Sequence, residues 1–215
     1  ILDLNGYSLG SSNLTTNPTV TMTYASLAPA TLKNGTATSV SVYSPIVLTG
    51  FASSGPYNYF NQLTGGTLNV LSVISDGAGT YKANALINYG PSNTGMVVFS
   101  GANTYSGGTT INFGTVQFAP NSYFYCGVGQ LCDATHSTIS SGPLGTGVVT
   151  LKDGSVAVGS ILDLNGNGAS TTYGYFYNPI VMGPSTGALA NIVNSNATLS
   201  AGVFGSVGLS KLSLT

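Results

Sequence analysis

The chain has 215 residues, and only 4 Lys and 5 Asp carry charge; there is no Arg, Glu or Trp, and a single His. An ordinary domain is about 25% charged, so a chain at 4% lacks the basic surface a nucleic-acid binder needs. A mean hydropathy of +0.29 argues against charge-driven disorder, no run approaches the ~18 apolar residues of a membrane-spanning helix, and the 30 Gly lack the three-residue period of collagen.

Val, Ile, Thr, Tyr and Phe are abundant and suit a pleated sheet, while most strong helix formers are scarce. Short strands are expected at Val20–Tyr24, Val40–Tyr43, Ile46–Leu48, Thr67–Val73, Met96–Ser100, Thr109–Phe113, Thr115–Phe118, Val148–Leu151, Ser155–Val158, Ile161–Leu164 and Leu209–Leu214. Many alternate apolar with polar residues, the period of a half-buried strand. Turns are marked by Ser75-Asp76-Gly77, Gly107-Gly108, Lys152-Asp153-Gly154 and Asn165-Gly166. No stretch holds a 3.6-residue apolar period, so the expectation is an all-β protein. Its surface must be wetted by hydroxyls and amides, which suits extracellular life and gives weak charge protection against self-association. Ile1 opens directly into a strand-like pattern without a signal peptide, as in a mature product or an excised piece.

Internal similarity sharpens the fold. Ile1-Leu2-Asp3-Leu4-Asn5-Gly6 recurs identically as Ile161-Leu162-Asp163-Leu164-Asn165-Gly166. Tyr43-Ser44-Pro45-Ile46-Val47-Leu48 recurs as Tyr177-Asn178-Pro179-Ile180-Val181-Met182, and Gly79-Thr80-Tyr81-Lys82 has a looser echo at Gly208-Leu209-Ser210-Lys211. The offsets are 160, 134 and 129 residues, so order is kept while the first unit carries an insertion between Gly6 and Tyr43. The whole chain, 1–215, reads as one segment holding about one and a half copies of a long unit. Repetition favours a β-solenoid over a sandwich or barrel. With ~20 residues per coil and ~4.8 Å per rung, the expectation is ~10 coils in a rod of ~45–50 Å. Neither end shows a cap, so open edges pairing head-to-tail are expected.

Chemistry-bearing residues are few. Cys126 and Cys132, spaced C-x5-C, favour a local disulfide over free thiols; a metal site would have only Asp133 and His136 to add. The five Asp (Asp3, Asp76, Asp133, Asp153 and Asp163) form no cluster, and without Arg or Glu a carboxylate-based polysaccharide enzyme has little to work with. Asp76 and Asp153 read as turn residues. Asp3 and Asp163 read as equivalent positions on an outward strand face. A Ser–His–Asp arrangement from His136 lacks a G-x-S-x-G elbow, and the sequons at Asn13, Asn34 and Asn196 read as incidental. No catalytic, cofactor or metal residue is assigned. The stretch Asn121–Ser141 is the best binding candidate, with Tyr123, Phe124, Tyr125 and His136 beside the cysteines. Such a loop offers sugar stacking or protein contact, or its aromatics simply cover the rod or meet a neighbour. Two further groups, Tyr173/Tyr175/Phe176/Tyr177 and Tyr57/Tyr59/Phe60, add to the case for self-contact.

The segment from Met96 to Phe118, with Gly101, Asn103, Thr104, Tyr105, Ser106, Gly107, Gly108, Thr109, Thr110 and Ile111 at its centre, resembles the passenger-associated transport repeat, also called the autotransporter-associated β-strand repeat. The likeness extends over 73–166, apart from Asn121–Ser141, which is longer than the family's short turn there. It is slight in 7–72. The resemblance implies a right-handed parallel β-helix with loop insertions, in the secreted passenger of a bacterial surface protein, acting as a stalk and export element without catalytic residues. Within the motif, Gly107-Gly108 permits a tight corner with positive φ, Asn103 suits a turn or an amide ladder between coils, and Tyr105 suits a corner cap, with a glycan site as the other possibility. The expected function is a structural scaffold or stalk that self-associates head-to-tail or laterally. The alternatives are an adhesin that binds glycan or a partner surface through the aromatic loops, and, less favoured, a polysaccharide-acting β-helix enzyme.

Overall fold

The computed structural model describes residues 1–24, 28–50, 57–78, 82–90, 93–152, 159–167, 169–170, 174–182, 190–193 and 195. The strands expected at Ser155–Val158 and Leu209–Leu214, the 208–211 echo, Asp153, Tyr173 and residues 79–81 lie outside them. The described strands run β1 (Leu2–Asp3), β2 (Val20–Tyr24), β3 (Thr31–Asn34), β4 (Ser39–Val42), β5 (Ile46–Gly50), β6 (Tyr57–Gln62), β7 (Thr67–Val70), β8 (Ile74–Asp76), β9 (Asn84–Ile87), β10 (Met96–Phe99), β11 (Thr109–Ile111), β12 (Gly114–Phe118), β13 (Val149–Leu151), β14 (Ser160–Asp163), β15 (Ala169–Ser170), β16 (Gly174–Tyr175), β17 (Ile180–Met182) and β18 (Asn191–Val193).

They wind into a three-sided β-solenoid. The first side is the parallel sheet β1-β3-β6-β9-β11-β13-β17, the second is β4-β7-β10-β12-β14-β18, and the third is β2-β5-β8. Each circuit visits the sides in that order. Beyond β8 the third side is continued by the 103–105 corner, whose Thr104 N–H donates to Ile74 O (2.9 Å). Above that corner it carries loops, including the antiparallel hairpin β15–β16. The described residues of 7–72, poor in the motif, supply β2 to β7 and are built into the solenoid.

The core follows from register. On the first side Leu2, Leu32, Phe60, Ile87, Ile111, Leu151 and Met182 stack as direct partners. On the second, Val40, Leu68, Val97, Val116, Leu162 and Ile192 form one column, and Val42, Val70, Phe99 and Phe118 form another. Val20, Ile46 and Ile74 face them from the third. Phe60, Ile87, Ile111 and Phe118 have no exposed surface. Burying each such side chain contributes about 1.5–3 kcal/mol, and a one-residue slip would turn the whole column outward. Successive partners on the first side lie 24 to 40 residues apart. Coils are therefore longer than expected, because each carries three walls. The six steps from β1 to β17 span roughly 29 Å at the usual rung spacing, shorter than the expected rod.

Corners are closed by buried amides. Asn34 Nδ2 donates to Gln62 Oε1 (3.1 Å) and Thr38 O (2.8 Å), and Asn34 Oδ1 accepts from Gly6 N (3.0 Å). Gln62 N donates to Asn88 Oδ1 (2.9 Å), and Asn88 Nδ2 reaches Gly95 O and Phe113 O. Asn34, Gln62 and Asn88 are almost wholly buried. This column ties successive coils at the first-to-second corner, where backbone groups have left the sheet ladder and need other partners.

The identical hexamers share corner chemistry. Asp3 Oδ1 accepts from Asn5 N and from Gly35 N one coil on, both at 3.0 Å; Asp163 Oδ1 accepts from Asn165 N (2.9 Å) and Ser195 N (3.0 Å). Asn5, Gly6, Asn165 and Gly166 all have positive φ. Yet β1 lies on the first side and β14 on the second. From hexamer to proline strand the first copy passes five sides to reach β5, the second only two to reach β17. The insertion in the first unit is thus one complete circuit.

Asp163 differs from Asp3 in burial. Asp3 is exposed and ion-pairs with Lys33 (2.9 Å), whereas Asp163 is only 5% exposed and accepts from Gln117 Nε2 (2.8 Å). The outward position expected for both holds for Asp3; at Asp163 the neighbouring rungs cover the carboxylate. Burial pushes the Asp163 carboxyl up, but hydrogen bonds from Gln117, Ser195 and Asn165 outweigh it and hold it below its ordinary value of 3.8. Folding then favours the ionised form, so this contribution is full above 3.8 and is lost as pH falls through the lower folded-state value. Melting temperature should decline as pH falls from 3.8 toward that lower value, and Asp163→Asn should flatten the decline; an equal acid slope in the variant contradicts the assignment.

Candidate functional site

The motif corner and the 119–148 excursion are adjacent levels of the third side. Asn103 is fully buried. Its Oδ1 accepts from Ile74 N (2.7 Å) on the coil before, and its Nδ2 donates to Pro143 O (2.7 Å) on the coil after. The expected amide ladder at this position is thus a bridge between backbones; the side-chain ladder sits at Asn34–Gln62–Asn88. Tyr105 is also fully buried, with its hydroxyl paired to Thr109 Oγ1 and its ring against Gly145. It lies inside the corner, where no glycan reaches it, and burial pushes its hydroxyl pKa up.

The glycine pair divides its work. A Cβ on Gly107 would come within 2.3 Å of Ala83 O, so this residue permits close approach of the preceding coil. Gly108 has φ +101° and lies under Gly147, whose Cβ would come within 2.5 Å of Gly108 N. Asp76, expected in a turn, ends β8 and accepts from Ser106 Oγ (2.7 Å) and Lys82 Nζ (3.3 Å). Its partner lies 30 residues away, and no local sequence signal marks the pairing. Gly107→Ala should cost about 1–3 kcal/mol through overpacking against backbone, read as a lower urea midpoint. A midpoint equal to wild type would show that the two coils are not held this close.

The excursion begins where Ala119 N donates to Phe99 O and Ser122 Oγ to Ala119 O. Phe124 then turns inward: it has no exposed surface and packs edge-on against Phe118 and Phe176. It therefore leaves the group of exposed contact candidates, since strand alternation sends it into the core while Tyr123 and Tyr125 face out. Phe176 (3% exposed) and Phe60 (0%) are core residues for the same reason, whereas Tyr57, Tyr59 and Tyr175 are partly exposed. Tyr59 stacks on Tyr89 at 4.9 Å.

Tyr125 is the centre of a small antiparallel unit, bridged to Leu131 and Ser141. Cys126 and Cys132 form a disulfide, Cys126 N donates to Gln130 O, and the hairpin on the next level fastens the unit through Tyr175 N to Cys132 O (3.0 Å). Asp133 Oδ1 accepts from Thr135 N, Thr135 Oγ1, His136 N and His136 Nδ1, all within 3.1 Å. The Thr135 hydroxyl, the His136 and Thr135 amides and the His136 ring together hold the Asp133 carboxyl well below the carboxylate range. The His136–Asp133 contact is a local turn. The described carboxylates, Asp3, Asp76, Asp133 and Asp163, are each engaged at a different corner. No group of three metal-ligating side chains occurs among the described residues.

Two open hollows flank Gly127 and Ser140. One, of about 430 Å³, is lined by residues including Thr135, His136 and Thr138; the other, of about 420 Å³, by residues including Ala102, Thr104, Tyr125 and Val128.

Residues 92–118 match the family described as Passenger-associated-transport-repeat. The matched stretch contains β10, the motif corner, β11 and β12, and includes the whole Met96–Phe118 segment. Its first strand, β10, and its last, β12, pair in register from Met96–Thr115 to Phe99–Phe118. One repeat is thus one circuit plus the strand that receives it. No curated protein and no solved structure matches the chain.

The disulfide closes a loop from 126 to 132, and the loop-entropy relation gives about 2 kcal/mol for that length. Cys126→Ser with Cys132→Ser should lower stability by that order while far-UV circular dichroism keeps its sheet signal. Loss of the sheet signal would mean that the ring holds the solenoid itself.

Proposed function

We propose that this chain is a length of rigid stalk in the passenger of a secreted bacterial surface protein. The observation that carries the reading is the repeat at 92–118, whose first and last strands pair with each other. Such a unit adds one rung each time it is used, and its chemistry is spent on closing corners. Asn103, Tyr105, Gly107 and Gly108 are all taken up in contacts within or between coils. The small number of charged groups favours self-association of the stalk, laterally or head-to-tail, because little repulsion separates copies.

Antibodies against this chain should label intact, unpermeabilised cells of the bacterium that makes it; labelling only after lysis overturns the surface assignment. Sedimentation across a hundredfold range of concentration should show growth in mass. A single monomeric species throughout removes self-association and leaves the stalk reading standing.

A further inference from the structure

The excursion carries more than a stalk requires. A buried Phe124 anchors it, a disulfide cross-links it, and backbone bonds from Tyr125 N to Ser141 O, Cys126 N to Gln130 O and Cys132 N to Phe124 O tie it together. On this base Tyr123 (42% exposed) stacks on Tyr125 at 5.9 Å with planes 17° apart. Beside that ring lies the open hollow of about 420 Å³. Its walls are Tyr125, Val128, Ser140 and Ser141, with Ala102 and Thr104 contributed by the preceding coil. No acidic or basic side chain lines it.

We propose that this hollow binds a neutral oligosaccharide, with one sugar ring against Tyr125 and its hydroxyls toward Thr104, Ser140 and Ser141. Three physical points select this class. A hollow of this volume is within the ~300–1,000 Å³ of small-ligand sites, whereas a protein partner needs ~800 Å² of surface on each side. Sugars present an apolar C–H face edged by hydroxyls, which matches an aromatic wall beside Ser and Thr. With no charge in the lining, an acidic glycan, phosphate or peptide carboxylate gains nothing over water. Ser140 Oγ shares its one proton between Tyr125 O (3.0 Å) and Gly127 O (3.2 Å) and accepts from Gly127 N (3.1 Å), so the wall is set before a ligand arrives and little ordering entropy is lost on binding.

The test applies the intact chain to an array of immobilised neutral hexasaccharides (cello-, malto-, laminari- and chito-series) beside sialylated glycans. At least one neutral series should bind, and 0.5 M NaCl should leave that binding unchanged. Tyr125→Ala should weaken it about tenfold. Val128→Asp should weaken it as well; Val128 is fully exposed, so this variant leaves the fold intact and separates site loss from unfolding. Binding to sialylated glycans alone, to none of the array, or equally by wild type and both variants overturns the proposal.

Discussion

Everything in this protein depends on parallel backbone pairing between successive coils in a fixed register. Each strand donates to and accepts from both the rung below and the rung above, so no coil is complete without its neighbours. The same register aligns Leu32, Phe60, Ile87, Ile111 and Leu151 into one interior column. Backbone satisfaction and apolar burial are therefore one constraint counted along two axes. This is why a chain with 4% charged residues folds without a network of ion pairs: the described Lys–Asp contacts, Lys33–Asp3 and Lys82–Asp76, lie at the surface, where such pairs contribute little.

The corners are where this constraint is hardest to meet, and the protein meets it with amides and glycines. Asn88 bonds three backbone groups on different segments, and Asn103 spans the coils on either side of its own. Gly107 lies so close to Ala83 that any side chain would strike the backbone. The composition, rich in Asn and Gly and nearly free of charge, is the composition of a molecule made largely of corners.

Much of the fold was legible because short-range patterns carry it. β2 has its expected bounds, and Met96, Thr109 and Ile46 start their strands as alternation and turn residues indicate. The strand expected at Thr67–Val73 ends instead at Val70, because the chain turns at Leu71 to reach the third side, and hydropathy alone does not mark that corner. Coil length was misjudged since nothing local tells a two-walled from a three-walled circuit. In the candidate site, the tyrosines and the disulfide could be read from spacing, whereas the burial of Phe124 rests on Phe118 and Phe176, the latter 52 residues away. Asp76 meeting Ser106 is likewise a product of winding.

The circuit present between the first hexamer and its proline strand, and missing between the second pair, shows how such a molecule changes size. Gaining or losing one whole turn raises or lowers whatever lies above it by a single rung and restores the same facing. Length can then vary in discrete increments during evolution while a side loop such as 121–141 keeps its azimuth, so reach and presentation are inherited independently.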